Sequence, residues 1–254
     1  MAVLHPTVVV TGATGAIGSA TVEALKRRGA RVVALKRPEL DLSSLASVRA
    51  TARALNRDLP HIDALLNIAA VFAPKYRKSA DGFELMIATN HLGPFLLTNL
   101  LRDKLMRGGR VINVTAPSTT PVDFDRLLDR HRFSAMHNFG ASKAANVLFT
   151  FELARRASRW EVRANAFHPG LVRSGLMREA PRPVRLAARL ASGSPSRAAQ
   201  DLTELALSPA FAGTTGWFFK GTRRIEGPKG SLDAAAQAAV WNRSAELVEL
   251  EGGF

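Results

Sequence analysis

Three glycines set between an apolar run and a helix-like run constrain this chain more than any other feature. In TVVVTGATGAIGSATVEAL, the strand-like residues 7–11 lead into Gly12, Gly15 and Gly18, and a helical stretch follows over 18–29. Glycines at these positions permit a tight turn and let backbone N–H groups approach a pyrophosphate, while the helix N-terminus adds a dipole that favours anions. A glycine-rich turn alone is weak evidence. Its place after a strand and before a helix is the context that gives it weight.

The rest of the chain repeats the alternation. Apolar runs of strand length occur at 7–11, 30–35, 62–69, 109–115, 162–168 and 215–219, separated by longer helical stretches such as 18–29 and 141–157. The runs are rich in Val, Ile, Leu and Ala with little polar alternation, as expected of strands covered on both faces. An α/β class follows, with a parallel sheet flanked by helices on both sides. No repeat, low-complexity tract or linker divides the chain, so residues 1–254 read as one domain. Only a few residues separate Leu35 from the helix beginning near Ser43. A parallel crossover needs about a dozen or more, so no further helix and strand fit there. The strand left out is the outermost one, and the remaining ladder stays intact.

Composition narrows the chemistry. The chain has no cysteine, which excludes disulfides, thiolate metal sites and cysteine nucleophiles, and no metal site is expected. No apolar run approaches the roughly 18 residues of a membrane-spanning helix. The start, MAVLHPTVVVTG, has neither a basic n-region nor a cleavage site; the expected location is the cytoplasm. The formal charge of +14 comes from scattered arginines without a basic tail or a nucleic-acid recognition motif. Nucleic acid is therefore not an expected partner. A basic surface attracts anionic cofactors, anionic substrates or an acidic carrier protein, and a genomic bias toward arginine codons explains the charge equally well. At the end of the second strand stand Lys36 and Arg37. An acidic residue there would bind a ribose 2′-hydroxyl; two cations suit the 2′-phosphate of NADP(H).

Together these segments resemble the short-chain dehydrogenase/reductase family, in particular its retinol-dehydrogenase-like and protochlorophyllide-reductase-like branch. TGATGAIG resembles the cofactor loop, with Gly12, Thr14, Gly15, Ile17 and Gly18 as contacts, and LDLSSLASVRA the adenine-contacting segment, with Asp41 and Leu42. LLNIAAVFAP resembles the strand that usually ends Asn-Asn-Ala-Gly, here with Asn67, Ala69 and Ala70. ATNHLGPF carries the family's asparagine as Asn90, and FGASK its lysine as Lys143. NAFHPGLVRSGL resembles the nicotinamide loop, with Pro169, Gly170, Val172 and Ser174. The resemblance implies a single Rossmann-type doubly wound domain, lacking the usual third, edge strand and its preceding helix. It also implies NADP(H) as cofactor and carbonyl–alcohol chemistry. Homodimers or homotetramers through the helices bearing Asn90 and Lys143 are implied as well.

Two departures lie in the implied active site. The family's serine aligns with Ala116 and its proton-donating tyrosine with Phe139. Proton donation contributes about 10²–10⁴-fold and an oxyanion donor about 10²–10³-fold, so ordinary ketone reduction should be crippled. Ser118, Thr119, His137 and Tyr76, the chain's one tyrosine, are the neighbours to test as replacements. Several readings stay open. The protein transfers hydride to an acceptor that needs no strong acid, such as an iminium ion or conjugated enone, or it carries out a non-redox cyclisation or isomerisation. Otherwise it is a non-catalytic NADP(H)-binding or partner-binding protein, or an engineered inactive variant of an NADPH-dependent carbonyl reductase. Residues 121–138 and 173–199 should shape the substrate site. In the latter, Arg182, Arg185 and Arg189 recur beside Val184, Leu186 and Leu190 as a basic amphipathic pattern. Ala116 and Phe139 make the pocket floor apolar and favour a hydrophobic small molecule.

Overall fold

The computed structural model describes residues 5–172, 175–177, 186 and 193–254. Seven strands form one sheet in the order β2-β1-β3-β4-β5-β6-β7. They are β1 Thr7–Thr11, β2 Arg31–Leu35, β3 Ala64–Asn67, β4 Arg110–Val114, β5 Arg163–His168, β6 Phe218–Lys220 and β7 Arg223–Ile225. All neighbours run parallel except β6 and β7, which form an antiparallel hairpin. Order and direction make this a doubly wound, Rossmann-type α/β sheet.

β2 is the sheet edge, and residues 36–44 after it hold turns only. Leu40 N–H donates to Lys36 O at 2.9 Å, and Ser44 N–H to Asp41 O at 3.1 Å. The chain thus passes from the sheet edge directly into the second helix. Ser44 caps that helix, its hydroxyl accepting from Ser47 N–H at 3.3 Å.

Helices cover both faces, and strand alternation decides which side chains meet them. Val8, Val10, Leu66, Ile112 and Phe167 turn to one side. They pack there with Leu25 of α1 (Ala16–Arg27) and with Leu202, whose own helix lies near the C-terminus. Val9, Leu65, Val111 and Ala164 turn to the other side, against α2 (Leu45–Asp58) and the helices that follow. Those begin with α3 (Leu85–Ile87), a π-helical turn Ala88–Leu92, α4 (Gly93–Leu100) and α5 (Arg102–Leu105). After β4 come α6 (Phe124–Leu128) and the long α7 (Ala135–Arg156). α8 (Pro195–Leu207), which carries Leu202, and α9 (Ala234–Leu247) complete the set.

α9 lies across α4 and α7. Trp241 packs edge-on against Phe95, with centroids 5.0 Å apart, and lies 5.8 Å from Phe149; the Arg156 guanidinium stacks over the indole at 4.6 Å. The aromatic face shared by α4 and α7 is therefore covered by the chain's own helix. Association of subunits through that face would require α9 to move. Among the described residues no helix is long and apolar enough to cross a membrane.

Candidate cofactor and active site

The C-terminal ends of β1, β2 and β3 open onto a groove of about 590 Å³. Its first wall is the glycine turn. Gly12 adopts φ +68°, a conformation that favours glycine, and Gly15 N–H closes the turn onto Gly12 O at 3.0 Å. A Cβ on Gly18 would lie 2.1 Å from Gly12 O, and one on Gly12 would lie 2.7 Å from the Ala69 backbone. The turn is thus pressed between the first turn of α1 and the chain leaving β3. Thr11, fully buried, secures that second contact by accepting from Ile68 N–H at 3.1 Å and Ala69 N–H at 3.3 Å. Gly15 caps α1 without a side-chain hydrogen bond, which leaves the N-terminal amides available to an anion.

Gly12, Thr14, Gly15, Ile17, Gly18, Lys36, Arg37, Asp41, Leu42 and Ala69 all line this groove. Lys36 and Arg37 are exposed at its outer end. Asp41 is engaged locally: its Oδ1 accepts from Ser43 N–H at 2.9 Å and from the Ser43 hydroxyl at 2.7 Å. The glycine cradle, the uncapped helix end and the two cations fit a dinucleotide phosphate backbone. A buried, unpartnered Thr89 Oγ1 in the groove wall offers one more donor.

Other expected contacts lie apart from the groove lining. Asn67 is buried, and its Nδ2 donates to Asn113 Oδ1 at 2.8 Å and Thr98 Oγ1 at 3.1 Å. Its side chain ties β3 to β4 and α4 instead of reaching the groove. Pro169, Gly170 (φ +77°) and Val172 follow β5, where Val172 bridges to Gly193. Ser174 and the basic pattern of Arg182, Val184, Arg185, Arg189 and Leu190 lie outside the described residues; Leu186 is exposed.

Asn90 sits in the π-helical turn, 1% exposed. Its Oδ1 accepts from Val71 N–H at 2.7 Å, and its Nδ2 donates to Val71 O at 3.0 Å and Ser142 Oγ at 3.1 Å. The wider π turn interrupts the regular ladder, and Asn146 Nδ2 bonds the Asn90 carbonyl at 2.7 Å. Asn146 Oδ1 faces His91 Nδ1 at 3.1 Å, and His91 Nε2 meets Ser244 Oγ of α9 at 2.7 Å. A hydrogen-bonded chain thus links the C-terminal helix to Asn90. Sequence reasoning missed it, because spacing within one helix says nothing about a partner more than 150 residues away.

Lys143 is buried on α7, where the Thr115 hydroxyl just after β4 donates to its carbonyl at 2.8 Å, and burial pushes its pKa down to about 8. Its Nζ stands 5.4 Å from the centroid of the Phe139 ring. Phe139 meets Phe72 edge-on at 5.6 Å within an apolar cluster that includes Met86, Leu85 and Leu176. Ser118, Thr119 and Thr120 line a second cavity of about 590 Å³ beside α7, against Ala144, Val147 and α9, and the Ser118 and Thr120 hydroxyls pack close to Gly140, the residue after Phe139. Tyr76 donates to Leu128 O at 3.3 Å and packs on Phe133. His137 accepts from Arg126 Nε at 3.1 Å, and burial followed by the Arg126 charge holds its pKa below the ordinary value. Among the described residues no cluster of His, Asp and Glu could hold a metal ion.

Comparison with known proteins agrees with this geometry. A family model described as short chain dehydrogenase matches residues 6–184. Retinol dehydrogenase 14 of Homo sapiens is 32% identical over 290 residues, covering 96% of this chain and 86% of the relative. A Streptomyces sp. (strain C5) protein provisionally named daunorubicin C-13 ketoreductase DnrU is 34% identical over 270 residues, covering 95% and 92%. Among solved structures, an uncharacterized protein from Mycobacterium Paratuberculosis superposes with a TM-score of 0.77 at 29% identity, covering 98% of this chain and 95% of that one.

Proposed function

The chain belongs to the short-chain dehydrogenase/reductase family, and on that premise we propose that it binds NADP(H) and acts on a hydrophobic, aromatic small molecule through chemistry that needs no tyrosine acid. When bound, the nicotinamide supplies or accepts hydride. The residues here would serve that group unequally. Gly12, Gly15 and Gly18 hold the phosphates, Lys36 and Arg37 meet the 2′-phosphate, and Asn90 holds the segment at Val71 in place. Lys143, with Pro169, Gly170, Val172 and Ser174, serves the nicotinamide end.

One observation carries the reading. The glycine turn, Lys36, Arg37, Asn90 and Lys143 of the cofactor half are kept, while Phe139 and Ala116 offer no proton, and Tyr76 and His137 are hydrogen-bonded to Leu128 O and Arg126. A conjugated enone or an iminium ion suits such a site, because the first delocalises the charge a ketone would concentrate and the second already carries it. The apolar cluster around Phe72 and Phe139 favours a flat, hydrophobic ring system. Similarity to a protein named for an aromatic polyketide ketone points the same way.

Calorimetry with NADPH and NADH tests the cofactor. NADPH should bind more tightly, and Lys36→Ser with Arg37→Ser should weaken it by about 10–100-fold with little effect on NADH. Single-turnover absorbance with conjugated enones tests the chemistry. Substrate conversion with loss of NADPH absorbance is expected; conversion without it would assign a non-redox reaction and overturn the hydride reading.

A further inference from the structure

The cavity of about 590 Å³ enclosed by the loop after β4, α7 and α9 shares no lining residue with the cofactor groove. Its size is typical of a small-molecule site. The floor is apolar. Leu148 lines it, and while every other residue from Ala141 to Ala154 is buried, Leu148 is left partly exposed. Ala144 and Val147 flank it on α7, and α9 presents Ala236, Ala239 and Val240. The space has a cause in the sequence of α9. Trp241 packs its indole against Phe95 and Phe149, whereas the alanines at 236 and 239 are too small to fill the space beside Leu148.

The walls are fixed before any ligand arrives. Ser118 Oγ donates to Thr120 Oγ1 at 3.1 Å, and their loop lies against α7 at Gly140, where a Cβ would stand 2.5 Å from Thr120 Oγ1. Asp123 caps α6, its carboxylate accepting from Arg126 N–H at 3.1 Å. At the wall formed by residues 229–231, Ser231 N–H donates to Pro228 O at 2.9 Å and Gln237 Nε2 to Ser231 O at 2.8 Å, which holds the turn into α9. Walls held in this way need little ordering on binding. The Ser231 hydroxyl, in a residue only 5% exposed, has no hydrogen-bond partner among the described residues. A buried donor of that kind is costly until an acceptor meets it.

Charge at the rim is balanced. Asp123 and Asp125 line the cavity together with Lys229 and Arg243, and Arg243 is paired with Asp125 at 3.2 Å. An ion of either sign meets no net opposite charge here and loses hydration on entering. The remaining polarity comes from the hydroxyls of Ser118, Thr119 and Thr120, which both donate and accept and so match hydroxyls on a ligand. We propose that this cavity is a second ligand site, separate from the cofactor groove, for an uncharged molecule carrying hydroxyl groups on an apolar body, such as an alkyl glycoside. The site goes beyond the reading given under Proposed function and does not rest on it.

Calorimetry with n-hexyl β-D-glucoside, hexanoate and hexylammonium, below micelle-forming concentrations, compares one apolar chain under a hydroxylated neutral head, an anion and a cation. The glucoside should bind saturably and about tenfold or more tightly than either ion. Saturating NADPH should leave that affinity unchanged. Ala239→Trp, at an exposed position of α9, places an indole in the cavity; it should weaken the glucoside by about tenfold or more and leave NADPH affinity as it was. Absence of saturable glucoside binding, or an ion bound as tightly, overturns the proposal. So does displacement of the glucoside by NADPH, which would put it in the cofactor groove, or binding undiminished in Ala239→Trp. The ion and NADPH comparisons use the wild type and stand even if the variant does not fold. A protein that binds the glucoside but not NADPH refutes the proposed function alone, and the ions and the variant then judge the cavity.

Discussion

Acid should destabilise this protein through His91. The ring is fully buried, packed 6.1 Å from Phe95 and 6.0 Å from Phe124, and burial pushes its pKa down to about 4. Both ring nitrogens have hydrogen-bond partners, and it is burial that favours the neutral ring. Because Asn146 Nδ2 is committed to the Asn90 carbonyl, its Oδ1 accepts from Nδ1–H, while Nε2 lies 2.7 Å from the Ser244 hydroxyl, whose single proton is directed at Val240 O at 2.7 Å. The folded-state pKa is depressed, so the contribution is present above the unfolded value near 6.5 and is lost as pH falls toward 4. The unfolded chain takes up a proton across that window and the folded chain does not. A gap from 6.5 to about 4, at about 1.4 kcal/mol per unit, amounts to roughly 3 kcal/mol. Urea unfolding of the wild type and of His91→Gln between pH 7.5 and 4 isolates this contribution. Other groups, among them Glu84, whose carboxyl burial pushes upward, are common to both proteins and cancel. The stability difference between wild type and variant should move by about 3 kcal/mol against the wild type over that range. Parallel curves would refute the argument and show that the ring is protonated or hydrated in the folded protein.

Gly18→Ala places a Cβ 2.1 Å from the Gly12 carbonyl oxygen; the cradle must open by roughly 1 Å, and NADPH affinity in calorimetry should fall on the order of a hundredfold. An unchanged Kd would mean that the turn does not hold the phosphates. Restoring both hydroxyls, by Ala116→Ser with Phe139→Tyr, should raise simple ketone reduction by about 10²–10⁴-fold, followed by NADPH absorbance. If no increase appears, something other than the missing hydroxyls limits that reaction. Trp241→Ala removes the indole that joins α9 to Phe95, Phe149 and Arg156. It should cost about 3–5 kcal/mol in urea unfolding, and a loss under about 1 kcal/mol would show α9 to be only loosely attached.

Much of the architecture is legible in the sequence because it depends on local pattern. The apolar runs at 7–11, 30–35 and 162–168 become β1, β2 and β5 to within a residue. The run at 109–115 becomes β4 to within a residue as well, and the run at 62–69 contains the shorter β3. The helix expected over 141–157 begins earlier, at Ala135, and so carries Phe139 on the same regular helix as Lys143. β7 has no signal in the sequence. Arg223–Ile225 is short and exposed, and pairing with β6 alone makes it a strand.

The site divides in the same way. Gly12, Gly15, Gly18, Lys36 and Arg37 could be placed together from sequence, because one turn and the end of the adjacent strand bring them there. Asn67 could not be oriented, since its direction depends on Asn113 and Thr98 in other elements. The placement of Ser118 and Thr119 likewise depends on the loop after β4, which lines the second cavity beside α7.

Sequence by itself determined the α/β class, the glycine turn between β1 and α1, and the presence of Ala and Phe, which carry no hydroxyl, at positions 116 and 139, since each is a matter of residue type at a local spacing. Tertiary structure alone decided that α9 covers α4 and α7, and that Lys143 is buried with no ion pair among the described residues. Those facts depend on which distant surfaces exclude water from one another, and burial is a property of the packed chain that no local spacing encodes.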